Sequence, residues 1–266
     1  MYALTRDPSS ADARELAERG ATVVQGNLWE PQTLVSAMEP VDAVFAMTDY
    51  WEAGFDGEVT QGINAVNVAT RAEIEHFVFS SVAGGAQNTR VPMLESKARI
   101  ETHVRAADLP TTIVRPSYFM QNFELRRQDV VDGTLALPLA PGTRLPLTDA
   151  ADLGRLVARI VAAPERFRGS EVPLAGEEVT LAEMAEAFSA VLDREIEPVH
   201  LPIGVARSQA GDDYARLFEW YNGNAPAGLV RQLRSQLDFE PTGLSAYLDR
   251  TDWTPRVPDT WQTPTQ

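Results

Sequence analysis

Short apolar runs alternate with longer amphipathic segments over the first two-thirds of the chain, and this confines the fold to βα units on a parallel sheet. The runs Tyr2–Leu4, Ala21–Val24, Val41–Met47, Phe77–Ser80 and Thr111–Val114 read as strands. Ser9 or Ser10 caps a helix that runs to Arg19 and is closed by Gly20. Pro31–Met38 is a short helix, Asp56–Ile74 is a longer one with Val59, Ile63 and Val66 on one side, and Leu94–Ala107 is another. After Pro116 the pattern loosens, with Pro and Gly clustered at 138–146. Helices are then expected over Asp149–Ala163, Thr180–Leu192, Arg207–Tyr221 and Ala227–Leu237, with strands at Glu171–Leu174 and Glu197–Leu201. Thr180 with Glu183 three residues later has the form of a capping box. The tail from Thr254, rich in Pro and Thr, is expected to be loose. The expected division is an α/β domain over residues 1–175 and a smaller, mostly helical region over 176–266, interleaved with the first.

Composition removes several function classes. There is no Cys, which excludes thiolate catalysis, disulfides and Cys-ligated metal sites, and His76, His103 and His200 show no metal-ligand spacing. No run of about 18 apolar residues is present, so no membrane helix is expected. The opening MYALTRDPSS has no signal-peptide pattern, and a cytoplasmic location is expected. The net charge of −15 argues against nucleic acid as a direct partner. Of 23 basic residues, one is Lys and the rest are Arg. Acid excess with almost no Lys points to a halophilic protein, since carboxylates are screened at high salt; a GC-rich genome converts Lys to Arg but does not by itself give −15.

Ligands of a doubly wound sheet sit at the carboxyl ends of its strands, so the residues that follow each strand are the candidates for a site. Arg6 follows the first strand, where an Arg accommodates the 2′-phosphate of NADP; Asp7 beside it could serve a ribose, which keeps NAD open. Asn27 and Leu28 follow the next strand and are placed to flank an adenine ring. Thr48 and the pair Tyr50-Trp51 follow VDAVFAM, and Ser80, Ser81, Gly84 and Gly85 follow Phe77–Phe79. Lys97, the chain's single lysine, sits early on a helix, where it can reach nicotinamide ribose hydroxyls.

The runs VFAMTDYWE, HFVFSSVAGG, ESK at Glu95–Lys97 with IETHVRAADLP, and TTIVRPSYFMQNF resemble the NmrA-like branch of the atypical short-chain dehydrogenase/reductases. So do LTDAADLGRLVARIVAAPERFRG and LAGEEVTLAEMAEAF. The resemblance implies a Rossmann-type fold and NADP(H) as the expected cofactor ahead of NAD(H). Arg6, Asn27, Leu28, Thr48, Ser80, Ser81, Lys97 and Pro116 would line the cofactor. Trp51, Tyr118, Phe119, Met120 and Asn122 would wall a substrate pocket, with Lys97 and Tyr118 as catalytic candidates. It also implies a strand and a GxxGxxG-type turn ahead of the Arg-bearing strand. Met1 falls directly at that second strand, so the first strand and phosphate loop are expected to be absent and the sheet open. The usual catalytic Tyr lies four residues before the Lys, and that position is Met93. Three readings follow: an NADPH-dependent reductase of a small planar acceptor such as a quinone; a non-catalytic NADP(H) redox sensor acting on a regulatory protein partner; and a sugar-nucleotide epimerase-like enzyme.

Overall fold

The computed structural model describes residues 1–85 and 88–253, so the tail from Thr254 lies outside the described residues. In chain order the elements are β1 (Tyr2–Thr5), α1 (Ala11–Glu18), β2 (Thr22–Gln25), α2 (Pro31–Met38), β3 (Ala43–Met47), α3 (Tyr50–Arg71), β4 (His76–Ser80), α4 (Pro92–Ala106) and β5 (Thr111–Pro116). There follow β6 (Tyr118–Phe119), a 3₁₀ segment (Met120–Arg126), α5 (Arg127–Asp132), β7 (Thr134–Leu137), β8 (Leu145–Thr148), α6 (Ala150–Ala162), α7 (Pro164–Phe167) and β9 (Glu171–Leu174). Last come β10 (Glu177–Val179), α8 (Leu181–Leu192), β11 (Glu197–His200), α9 (Ile203–Ala210), α10 (Asp212–Asn224), α11 (Leu229–Gln236) and α12 (Leu244–Asp249). They form two compact units, the first made of residues 1–117, 151–174 and 235–239, the second of 118–150, 175–234 and the described residues from 240 on.

The first unit holds the parallel α/β architecture. β3, β4, β5 and β9 form one parallel sheet in that order. Its register sets Met47 beside Ser80, Ser80 beside Val114 and Pro116 beside Leu174, so the strand carboxyl ends share one edge. β4 reads HFVFS and is buried throughout, as a parallel strand covered on both faces should be. β1 and β2 pair in parallel as a separate two-stranded sheet. Among the described residues β1 pairs only with β2 and β3 only with β4, so each keeps one open edge. The apolar side chains on these strands stay in solvent: Leu4 is 41%, Phe45 42% and Met47 56% exposed.

The core packs Leu34, Val66, Phe77, Ile100 and Val104 between sheet and helices with no exposed surface. α3 and α4 approach closely at Gly62, where a Cβ would lie 2.6 Å from Ile100 Cδ1; no larger residue fits without moving the helices apart. On α4 the buried Glu101 accepts from Arg115 Nε and Nη2, both at 2.8 Å, and from Arg105 at 2.6 Å. Glu171 of β9 accepts from the same two arginines, which ties α4 to β5 and β9. Burial alone would raise the Glu101 carboxyl, but hydrogen bonds from Arg115 and Arg105 outweigh it and hold the group below the usual carboxylate range.

Two helices differ from the sequence-based expectation. The helix expected over Asp56–Ile74 begins at Tyr50, because the Asp49 side chain caps Trp51 N at 2.8 Å, and it ends at Arg71. It is kinked at Gly54, whose φ of 68° only glycine adopts freely. The helix expected over Arg207–Tyr221 is broken at Gly211 (φ 91°) into α9 and α10. Other local signals match: Ser10 caps α1 through Ala13 N at 3.2 Å, and the Thr180–Glu183 capping box closes at 2.6 and 3.2 Å.

The second unit is largely helical. Its strands are short: β6 pairs in parallel with β8, β8 antiparallel with β10, and β7 in parallel with β11. Aromatic rings fill its core, with Phe123–Phe188 centroids 5.3 Å apart and Phe188–Trp253 4.8 Å apart.

Candidate functional site

The first unit brings the sequence-designated residues to the carboxyl ends of its parallel strands. Arg6 directly follows β1; its exposed guanidinium pairs with exposed Glu52 of α3. A surface pair of this kind is weak, so Glu52 yields readily to a stronger anion. Asn27 follows β2 but its side chain is committed to the local turn: Oδ1 accepts from Trp29 N and Nδ2 donates to Glu30, both at 3.1 Å. Leu28 packs against the core, and its carbonyl accepts from Asn64 Nδ2 at 2.8 Å. Ser80 and Ser81 are buried at the end of β4, and Ser81 N donates to Val114 O at 2.8 Å. Pro116 closes β5, and its carbonyl accepts from Ala83 N at 2.8 Å, which fixes the loop after β4.

Lys97 and Thr48 form the best-organised part of this edge. Lys97 comes from α4, is 7% exposed, and directs its three ammonium protons to Thr48 O at 2.8 Å, Thr48 Oγ1 at 2.9 Å and Glu58 Oε1 at 2.9 Å. Thr48 Oγ1 in turn donates to Glu58 Oε1 at 3.1 Å, and the Ser96 hydroxyl donates to Glu58 Oε2. Phe79 of β4 presents its ring 5.5 Å from the ammonium. Burial pushes the Lys97 ammonium down and the Glu58 carboxylate opposes it. Lys97 thus engages Thr48 and Glu58, and the ribose contact expected of it has no spare proton in this arrangement.

Glu58 and Ser96 are the site residues that sequence reasoning missed. A signal was present: a lone lysine in an acidic chain needs a carboxylate partner, and Glu58 lies four residues before Gly62, on the face where α3 meets α4.

Trp51 belongs to the first unit and is 55% exposed, with its ring 5.4 Å from Tyr50. Tyr118, Phe119, Met120 and Asn122 belong to the second unit. Met120 has no exposed surface and serves the core, whereas Tyr118, Phe119 and Asn122 are partly exposed. The Tyr118 ring lies 6.2 Å from Phe123 and 6.1 Å from Phe218. Burial, with the neighbouring Tyr214 and Tyr221 phenols, pushes its hydroxyl far above the ordinary phenol value. A phenol so shifted remains protonated and is a poor proton donor. A cavity of about 300 Å³ lined by Asn67, Thr70, Arg71, His103, Ala106 and Ala107 opens at the far ends of α3 and α4, opposite the strand carboxyl ends. Among the described residues no His, Asp or Glu cluster could hold a metal, and no helix is long and apolar enough to cross a membrane.

At the carboxyl-end edge an accessible guanidinium follows β1, and small polar residues follow β3 and β4. The NmrA-like family model matches residues 1–248. An NAD(P)H azoreductase of Xenophilus azovorans is 30% identical over 207 residues, covering 77% of this chain and 70% of the relative. Among solved structures, a nucleoside-diphosphate-sugar epimerase from Staphylococcus aureus superposes with a TM-score of 0.82 at 17% identity, covering 94% of this chain and 90% of the other. NmrA, a negative transcriptional regulator in complex with NADP, superposes with a TM-score of 0.75 at 20% identity, covering 94% and 86%. The chain belongs to the NmrA-like family, a group of NAD(P)-binding oxidoreductase-type proteins with a Rossmann-type fold.

Proposed function

We propose that this chain binds NADP(H) in preference to NAD(H) and reduces a small planar acceptor such as a quinone. The observation that carries the cofactor choice is Arg6, exposed directly after β1 and held only by a surface pair to Glu52. Bound NADPH supplies a hydride; a quinone that takes it with one proton from solvent leaves as the hydroquinone. The first unit would bind the dinucleotide through Arg6, Thr48, Ser80 and Ser81. The Xenophilus relative is an NAD(P)H azoreductase, which supports a planar acceptor of this kind.

The test is calorimetry of Arg6→Ala with both cofactors. NADPH affinity is expected to fall by about 1.5–3 kcal/mol, the worth of a charge-assisted contact, while NADH affinity stays within a factor of two. Equal losses for both would remove Arg6 from the 2′-phosphate.

A second reading, a redox sensor without turnover, is favoured by one feature of the site. Met93 stands where the catalytic Tyr of short-chain dehydrogenases usually lies, and Tyr118 holds its proton tightly. Binding of NADPH with no oxidation by quinones, aldehydes or flavins would select the sensor.

The surface charge leads us to propose a halophilic working environment. With a net charge of −15, the melting temperature is expected to fall as the protein is moved from molar KCl to dilute buffer. A melting temperature that is flat or rises on removing salt would overturn this.

A further inference from the structure

Glu58 has no exposed surface, and its carboxyl group lies on the helix face that meets α4. Its place follows from local structure. Asp49 caps α3, Gly54 kinks it, and the restarted helix presents Glu58 within its first turns, where a helix N-terminus favours negative charge. Gly62, one turn further on, lets α4 come close enough for Ser96 and Lys97 to reach the carboxylate. Both carboxylate oxygens are used, Oε1 by Lys97 and Thr48 and Oε2 by Ser96. The other charged group acting on Lys97 is Asp49, and Phe79 covers it from β4. A buried cation with one dominant counter-charge depends on that partner for its protonation.

We propose that Glu58 is a positioning residue for the dinucleotide edge: it keeps Lys97 charged, and charged Lys97 holds the Thr48 carbonyl and hydroxyl in place at the end of β3. The inference rests on the reading that this edge binds NADP(H), but its first test does not. A neutral Lys97 would have one fewer proton to share, and the Thr48 carbonyl, Thr48 hydroxyl and Glu58 would compete for those left. Thr48 would then be free to turn.

Because Lys97 is the only lysine, a protein labelled with ¹³Cε-lysine shows a single lysine side-chain resonance whose pH titration needs no assignment. Glu58→Gln is expected to make Lys97 titrate about 1–3 pH units below the wild type, the usual effect of losing an adjacent opposite charge. Glu58→Asp, which keeps the charge, is expected to recover most of that difference. The sign for binding follows. In Glu58→Gln, Lys97 is charged below its lowered pKa and neutral above it. NADPH affinity of that variant should therefore fall by about tenfold as pH rises through this range, while the wild type stays nearly flat. A merely structural role would weaken binding equally at every pH. Titration of Glu58→Gln within a few tenths of a pH unit of the wild type overturns the proposal. If Glu58→Gln does not fold, the wild type alone decides: NADPH affinity must change at the pH where the Lys97 resonance titrates, and independence of the two overturns it. A lysine resonance that responds to Glu58→Gln but not to added NADPH keeps the coupling and rejects the cofactor reading of this edge.

Discussion

Lys97→Ala is expected to lose about 3–5 kcal/mol of folding stability, because it leaves the Glu58 carboxylate buried and unpaired. That is a large share of the stability of an ordinary domain. The loss does not reflect the net worth of the ion pair. Two charges taken out of water recover in mutual attraction roughly what they lost in hydration, so the cost appears mainly when one partner goes and the other stays. The double variant Lys97→Met with Glu58→Gln separates these effects. It removes both charges and keeps similar volumes, so it is expected to regain most of the stability lost by Lys97→Ala. It is not expected to regain NADPH binding, because no ammonium remains to hold Thr48 O and Oγ1. Urea denaturation gives the first quantity and NADPH titration the second. Recovery of both in the double variant would show that Lys97 serves the fold alone. Met93→Tyr is expected to leave any native activity largely unchanged, since a phenol there needs surroundings built for its hydroxyl.

The residues whose place was legible from sequence are those set by position along a strand. Arg6, Thr48, Ser80 and Pro116 stand at or just after strand ends, and strand ends in βα units are legible from hydrophobic runs and the turns that follow. Lys97 was legible for a different reason, its being the only lysine. What the pattern did not show is what Lys97 touches. Glu58 reads as an ordinary helix acid until the approach of α3 and α4 at Gly62 is known, and that approach joins residues 38 positions apart in sequence. The segment after Pro116 was opaque for a physical reason too. β6 has two residues and β10 three, and strands so short exist only because a distant partner pairs with them. The break at Gly211 was in the sequence as a glycine, but a glycine inside a helical pattern is often tolerated, and only its φ of 91° ends α9 there.

Placing a strand between β1 and β3 is expected to raise NADPH affinity by about a hundredfold or more, the effect of two added charge-assisted hydrogen bonds. β1 and β3 each keep an unpaired edge among the described residues, and both neighbour α3, through Arg6–Glu52 and through the Asp49 cap that follows β3. A central parallel strand is hydrogen-bonded on both sides and buried on both faces. The open edges of β1 and β3 lie beside exposed Leu4, Phe45 and Met47, which a strand between them would cover. The same strand would lead into a turn whose backbone N–H groups, with a helix N-terminus behind them, neutralise a pyrophosphate. The described turns after β1 and β3 do not supply this: Thr5–Ser10 carries Asp7, whose carboxylate already accepts from Ser9 N, and Thr48 is held by Lys97. Open edges with apolar flanks also favour association between chains. The experiment compares the 266-residue chain with a fusion that adds, ahead of Met1, a strand and a glycine-rich turn. NADPH affinity and the monomeric fraction in high salt are measured for both. The fusion should bind more tightly and remain monodisperse, while the shorter chain binds weakly and self-associates. Equal affinity in the two would mean that the pyrophosphate is held elsewhere on this edge, and the open seam between β1 and β3 would then have no part in cofactor binding.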